Sequence, residues 1–88
     1  VYVYVRKWCP NGPGYPAGKK VQLRGVTSGT LVPDTPAVTN SLSRATIQFV
    51  TAGTYEVLVD GAKWRIYQTT NDRKYITGTV ATLYVYPP

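Results

Sequence analysis

The 88-residue chain has no histidine, no methionine, a single cysteine and only four acidic residues. Without histidine, the Ser/His/Asp arrangement and the commonest transition-metal ligand are both missing. The lone Cys9 excludes an internal disulfide and a cysteine zinc site. Its simplest state is a reduced, partly buried thiol beside Trp8, with a bridge between chains as the alternative. Asp34, Glu56, Asp60 and Asp72 fall at turns or outward strand positions, so no pair of carboxylates is brought to one cleft. No glycine-rich loop precedes a helix, which removes the usual phosphate cradle. The chain is therefore expected to be non-enzymatic, with no cofactor and no bound metal. No apolar run approaches membrane-spanning length, and no stretch has the shape of a secretory signal. A start at Val1 fits a processed product, a chain trimmed of its initiator Met or an excised domain equally.

What is present points to β structure. Eight Tyr, seven Pro and eight Gly, with many Val and Thr, describe an all-β chain with frequent turns, and no segment shows helical periodicity. The length allows one domain and one core. Ten Lys and Arg against four acids give a net charge of +6, a field that favours acidic partners. The cations are dispersed (Arg6-Lys7, Lys19-Lys20, Arg73-Lys74, and single Arg24, Arg44, Lys63 and Arg65), with no run resembling a nucleic-acid arm.

Alternation locates the strands. Val1, Val3 and Val5 oppose Tyr2, Tyr4 and Arg6 in a first strand to Trp8. Cys9 to Gly18, rich in Pro and Gly, reads as a stiff loop with Tyr15 at its middle. Lys19 to Gly25 is a second strand with Val21 and Leu23 inward. Val26 to Ser43 reads as a long excursion broken by Pro33 and Pro36, with a short strand near Ala37–Thr39. Arg44 to Asp60 is the organising hairpin: Ala45, Ile47 and Phe49 alternate in one arm and Tyr55, Val57 and Val59 in the other, around Thr51-Ala52-Gly53. Asp60-Gly61 and Asn71-Asp72 are turns, and Lys63 to Thr70 puts Trp64 inward with Ile66. Tyr75 to Tyr86 is a final strand with a bulge at Gly78, ended by Pro87-Pro88. The expected core is Val21, Leu23, Ile47, Phe49, Tyr55, Val57, Val59, Trp64 and Ile66. Truncating Phe49 to Ala is then expected to cost roughly 3–5 kcal/mol.

The stretch A-x-I-x-F followed by A-G-T-Y-E-V-x-V-D-G, approached through Thr35 and Thr39, resembles the prealbumin-like β-sandwich modules. These include Cna-B-type repeats and carboxypeptidase regulatory-like domains. Gly18 to Gly25 is similar to the second strand of such modules, and the likeness covers about half the chain. Ser43-Arg44 stands where they often carry a Gly. The resemblance implies a seven-strand antiparallel immunoglobulin-like or prealbumin-like sandwich. It does not carry over their chemistry. Lys7 could stand for the Lys of the Cna-B cross-link, but Tyr75–Tyr86 holds no Asn or Asp to accept it. The transthyretin-like hydrolases use His residues, which this chain lacks.

Aromatics gather at the two ends: Tyr2, Tyr4 and Trp8 in the first strand, Tyr84 and Tyr86 in the last. Such rings can cover the sandwich, form an exposed Tyr/Arg contact face, or serve as a sugar platform. The reading favoured by these residues is a structural module that docks onto a larger assembly. A capsid-decorating protein of a virus or a subunit of an extracellular fibre fits that description. The docking residues are Tyr2, Tyr4, Arg6, Tyr15, Tyr84 and Tyr86, helped by the loops Cys9–Gly18 and Val26–Ser43. The partner is a protein lattice or further copies of the chain, with an acidic surface, at a virion or cell surface. A carbohydrate-binding module is the alternative. Single-stranded nucleic acid, suggested by Arg65–Tyr67 and Arg73–Tyr75, is the weaker one.

Overall fold

A computed structural model describes residues 1–77 and 80–88. It is an all-β sandwich of two sheets. The strands are β1 (Tyr2–Val5), β2 (Lys20–Gly25), β3 (Leu31–Val38), β4 (Arg44–Thr46), β5 (Gly53–Val59), β6 (Ala62–Lys63), β7 (Arg65–Ile66), β8 (Lys74–Ile76) and β9 (Thr82–Tyr86). One sheet, here the terminal sheet, runs β4-β1-β9-β7; the other, the central sheet, runs β3-β2-β5-β6, with β8 also on β5. All pairs are antiparallel except β1–β9, which is parallel because the first and last strands enter the terminal sheet in the same direction.

The core lies between the sheets. Val3, Val5, Ala45, Ile47, Ile66, Leu83 and Val85 face Val21, Leu23, Tyr55, Val57, Val59 and Ile76. Each set follows from period-2 alternation within a short strand, which places every second side chain on the inner face.

The chain changes sheets within three segments, and two of them, each read as a single strand, are divided in two, which accounts for nine strands among the described residues where seven are expected. The Arg44–Asp60 stretch is not a hairpin: β4 pairs with β1, whereas β5 pairs with β2 in the opposite sheet. Ala62 to Ile66 crosses at Trp64, since β6 pairs with β5 and β7 with β9. Lys74 to Tyr86 divides into β8 on β5 and β9 on β1. Bending a strand around a corner keeps both ends under backbone hydrogen bonds while covering the open side of a small core. The bulge expected at Gly78 lies outside the described residues.

The crossing after β4 corrects the reading of Phe49 as core. The backbone turns left-handed at Phe49 (φ 59°), alternation stops, and the ring stands 94% exposed while Val50 takes the inward place. Trp64 is half-buried rather than central, and packs against the core edge-on to Tyr15, with ring centroids 5.5 Å apart. Cys9 and Trp8 are exposed, because the loop's contacts to the first strand are made by Pro13, Gly14 and Tyr15 and not by its first residues.

Val26–Ser43 is also more regular than expected. Leu31–Val38 forms an eight-residue edge strand on β2, with a register shift between Val21 and Leu23. Pro33 and Pro36 are tolerated because an edge strand leaves one side unpaired. Gln22 Nε2 stitches the shifted region by donating to the carbonyls of Pro33 (2.9 Å) and Asp34 (3.2 Å). The Asp60-Gly61 turn has both residues at positive φ, the conformation that twists a tight hairpin correctly.

On the outer face of the central sheet, Glu56 is enclosed rather than solvated. Arg24 Nη2 lies 2.9 Å from one carboxylate oxygen, and Lys63 Nζ (3.1 Å) and Arg73 Nε (3.6 Å) lie near the other. The cationic side chains cover the acid and leave its side chain 10% exposed.

Candidate docking face

The outer face of the terminal sheet collects the terminal tyrosines. Because Val3 and Val5 face inward, Tyr2, Tyr4 and Arg6 face outward; the same parity turns Thr82, Tyr84 and Tyr86 outward on β9. Parallel register then sets Tyr2 beside Thr82 and Tyr4 beside Tyr84. The rings of Tyr4 and Tyr84 stack, with centroids 5.2 Å apart and planes 17° from parallel. The Arg6 guanidinium lies 5.3 Å from the Tyr4 centroid and 5.9 Å from that of Tyr84.

Two further arginines complete the face. Arg44 of β4 pairs in register with Tyr4, and its guanidinium sits 4.8 Å over the Tyr2 ring. Arg65 of β7 is level with Tyr86 and lies 5.9 Å over its ring. Tyr2, Tyr4, Tyr84 and Tyr86 are all half-buried, so each ring has an apolar side against the sheet and a side toward solvent. Neither Arg44 nor Arg65 is among the docking residues expected from sequence, where Arg65 enters only the nucleic-acid alternative. Parity alone turns them outward, but only the strand order puts β4 and β7 beside the tyrosine strands.

The electrostatics of this face are one-sided. Among the described residues no carboxylate lies within 4 Å of Arg6, Arg44 or Arg65, whereas Glu56 and Asp60 each pair with cations elsewhere. Asp72 accepts from the Ile66 amide at 3.4 Å. The Nε atoms of Arg6 and Arg44 are buried with no hydrogen-bond partner. Ring contacts of this kind are worth about 0.5–1 kcal/mol at exposed sites, enough to hold a guanidinium in place. A held guanidinium loses less freedom when it later meets an anion. The face can thus bind carboxylates or other oxyanions through arginine while the tyrosines supply apolar area.

Tyr15 lies at the margin of the face and not on it. It shares a cleft with Tyr4, Arg6, Gly14 and Ser43, with Lys19 4.9 Å and Lys7 5.8 Å from its ring centroid. The Ser43 hydroxyl donates to the Tyr15 carbonyl, and Arg6 forms a bridge with Gly14, which ties the Cys9–Gly18 loop to β1. Gly14 has no room for a side chain: a Cβ there would sit on Ser43 Oγ and 2.8 Å from Ser43 Cβ. Gly14→Ala is expected to lower stability by about 1–3 kcal/mol through this overpacking, read as a lower melting temperature. The other loop invoked from sequence, Val26–Ser43, holds β3 on the opposite sheet and contributes Ser43 at this margin only through its last turn.

Among the described residues no group of three or more His, Cys, Asp or Glu side chains is placed to hold a metal ion. Among the described residues no helix is long and apolar enough to cross a membrane. Compared with protein-family models, curated proteins and solved structures, the chain gives no match.

Proposed function

We propose that this chain is a non-enzymatic structural module of the immunoglobulin-like or prealbumin-like kind. In this reading it docks onto a larger protein assembly through the outer face of its terminal sheet. A capsid-decorating protein or a subunit of an extracellular fibre is the role that suits it. The observation that carries this reading is the set of three arginines, each laid on tyrosine rings, with no carboxylate beside them. Elsewhere on the molecule, cations such as Arg24 and Lys19 are paired with acids. Arginine and tyrosine left unneutralised together are the residue types that dominate protein interfaces. The partner surface is accordingly acidic.

A carbohydrate platform is the second reading, and the exposed Trp8 is what favours it. The tyrosines serve it less well, because guanidinium groups already lie over their rings.

The test removes charge and leaves the stacked rings alone. An Arg6→Gln, Arg44→Gln double variant is expected to co-sediment with the native assembly at least tenfold more weakly, with its melting temperature within a few degrees of wild type. Raising salt should weaken wild-type attachment in the same direction. Attachment that is indifferent both to the two substitutions and to salt would move the docking face elsewhere. Tight binding of a neutral oligosaccharide that is lost on Trp8→Ala would favour the second reading.

A further inference from the structure

A cleft of about 550 Å³ lies at the margin of the docking face, lined by Tyr4, Arg6, Lys7, Tyr15, Leu42 and Ser43, among others. Its size is that of an ordinary ligand site, about 300–1,000 Å³. Two cations line it without an acid: among the described residues no carboxylate lies within 4 Å of Arg6 or Lys7. Lys19, which also lies over the Tyr15 ring, is by contrast paired with Asp60 at 3.3 Å. Both unpaired cations rest against rings, Arg6 against Tyr4 and Tyr84, Lys7 against Tyr15. The Arg6 guanidinium reaches over the bare Gly14, with Nη1 3.1 Å from where a Cβ would stand, so no side chain there separates it from the cleft. Unmatched positive charge in a concave, aromatic-walled site focuses the field on whatever enters it.

Part of the wall is apolar. Leu42 is 62% exposed in a tight turn, and Pro16 extends the Tyr15 side. The turn is held by hydrogen bonds: Asn40 Oδ1 accepts from the amides of Leu42 (2.9 Å) and Arg44 (3.1 Å), and the Ser43 amide donates to the Asn40 carbonyl (2.9 Å). No Asp, Glu, Asn or Gln lines the cleft, so the carboxylates and amides that would meet sugar hydroxyls are missing. A nucleic-acid strand calls for a basic groove that follows its backbone, and Leu42 and Pro16 interrupt such a groove here. What the cleft suits is a negative charge beside an apolar group.

We infer, resting on the docking reading for the source of the ligand, that this cleft binds an acidic side chain and its apolar neighbour on the partner protein. The Asp or Glu carboxylate meets Arg6 and Lys7, whose charge-assisted hydrogen bonds replace those to water. The apolar neighbour lies against Leu42 and Tyr15 and displaces water from them. Tyr4 and Arg6 belong to both the face and the cleft, whereas Lys7 and Leu42 belong to the cleft alone. Face and cleft can therefore be tested apart.

The experiment is an NMR titration of the whole chain with a blocked peptide carrying one glutamate followed by one leucine. The amides of Lys7, Gly14, Tyr15 and Leu42 are expected to shift together, with a dissociation constant on the order of 1 mM. Replacing the peptide's glutamate by glutamine should weaken binding roughly tenfold, and replacing its leucine by serine about threefold. Lys7→Gln is expected to weaken the glutamate peptide about fivefold. Lys74→Gln, which removes the same charge outside the cleft, should leave it unchanged. Leu42→Ser should abolish the preference for leucine over serine. Lys7 and Leu42 are both exposed, so these variants should melt within a few degrees of wild type. Equal binding of the glutamate and glutamine peptides overturns the inference, as do shifts that avoid the cleft amides. So does a Lys7→Gln chain that binds no worse than Lys74→Gln. A sulfated disaccharide or a short oligonucleotide that shifts the same amides at lower concentration than the peptide also overturns it. Peptide binding at the cleft, with attachment to the assembly indifferent to Arg44→Gln, sustains the cleft and ends the docking face. Attachment that needs Arg44, with a peptide that moves no cleft amide, does the reverse.

Discussion

Ile47→Ala is expected to lower the stability of the domain by about 3 kcal/mol, whereas Phe49→Gly should leave it unchanged or raise it by up to about 1 kcal/mol. The two positions have the same parity in A-x-I-x-F and would be truncated at similar cost in a continuous strand. In the folded chain Ile47 is 1% exposed, packed between the sheets, and its amide donates to the Val1 carbonyl at 2.8 Å. Removing its side chain beyond Cβ leaves a cavity that short strands on both sides cannot close. Phe49 leaves no cavity because its ring has almost no neighbours, and glycine relaxes the φ of 59°. Urea denaturation checks both at once, since a shift of midpoint at constant slope reports stability alone. For a domain this small the Ile47 loss is a large part of the total of roughly 5–10 kcal/mol. A Phe49 variant that lost as much as the Ile47 variant would mean that the ring is packed after all.

The second large effect is at Glu56. Glu56→Gln is expected to cost about 2 kcal/mol, because it removes the only negative charge among Arg24, Lys63 and Arg73 and leaves these cations to repel one another. The figure is set below that of a fully buried ion pair because the three cations are each 40–48% exposed and screened by solvent. The hydrogen bond from Arg24, opposed by burial and reinforced by Lys63, holds the Glu56 carboxyl below its ordinary value of 4.5. The backbone amide of Lys20, and then Lys19, lower Asp60 in the same way. A carboxyl depressed by folding binds its proton more readily in the unfolded chain. Its stabilisation is therefore fully present above the unfolded value and is lost as pH falls through the folded value. Wild-type stability should be flat from neutral pH down to about 5 and decline below it. In Glu56→Gln the neutral-pH stability should start lower and the acid decline should be shallower, with Asp60 still contributing. Melting temperatures taken between about pH 3 and pH 7 test this. An acid decline identical to wild type would assign the effect to other groups.

Much of the local structure was legible. Val21, Leu23, Tyr55, Val57, Val59 and Ile66 are buried as their alternation predicts, because side-chain direction in a strand depends only on parity. The Asp60-Gly61 turn was legible because only a few residue types accept two successive positive φ values. Parity also turned Tyr2, Tyr4, Arg6, Tyr84 and Tyr86 to one side of their strands.

The misreadings share one cause. Periodicity says which way a side chain points but not which sheet its strand belongs to. At Phe49 and Trp64, and between Ile76 and Thr82, the chain leaves one sheet for the other, and runs that look continuous are divided there. Phe49 was assigned to the core because A-x-I-x-F has an unbroken period, and a left-handed turn at its last position leaves no compositional mark.

The residues by themselves determined an all-β chain, the inward and outward faces of β1, β2, β5 and β9, the Asp60-Gly61 turn and the excess of positive charge, since each of these follows from local sterics or from counting charges. Tertiary structure decided the rest. The parallel pairing of β1 with β9 brought tyrosines from the two ends of the chain into one stack, and the flanking β4 and β7 laid Arg44 and Arg65 on their rings. The reason is that strand neighbours are selected by long-range backbone hydrogen bonding and shared core burial, and neither leaves a signal in the spacing of residues along the chain.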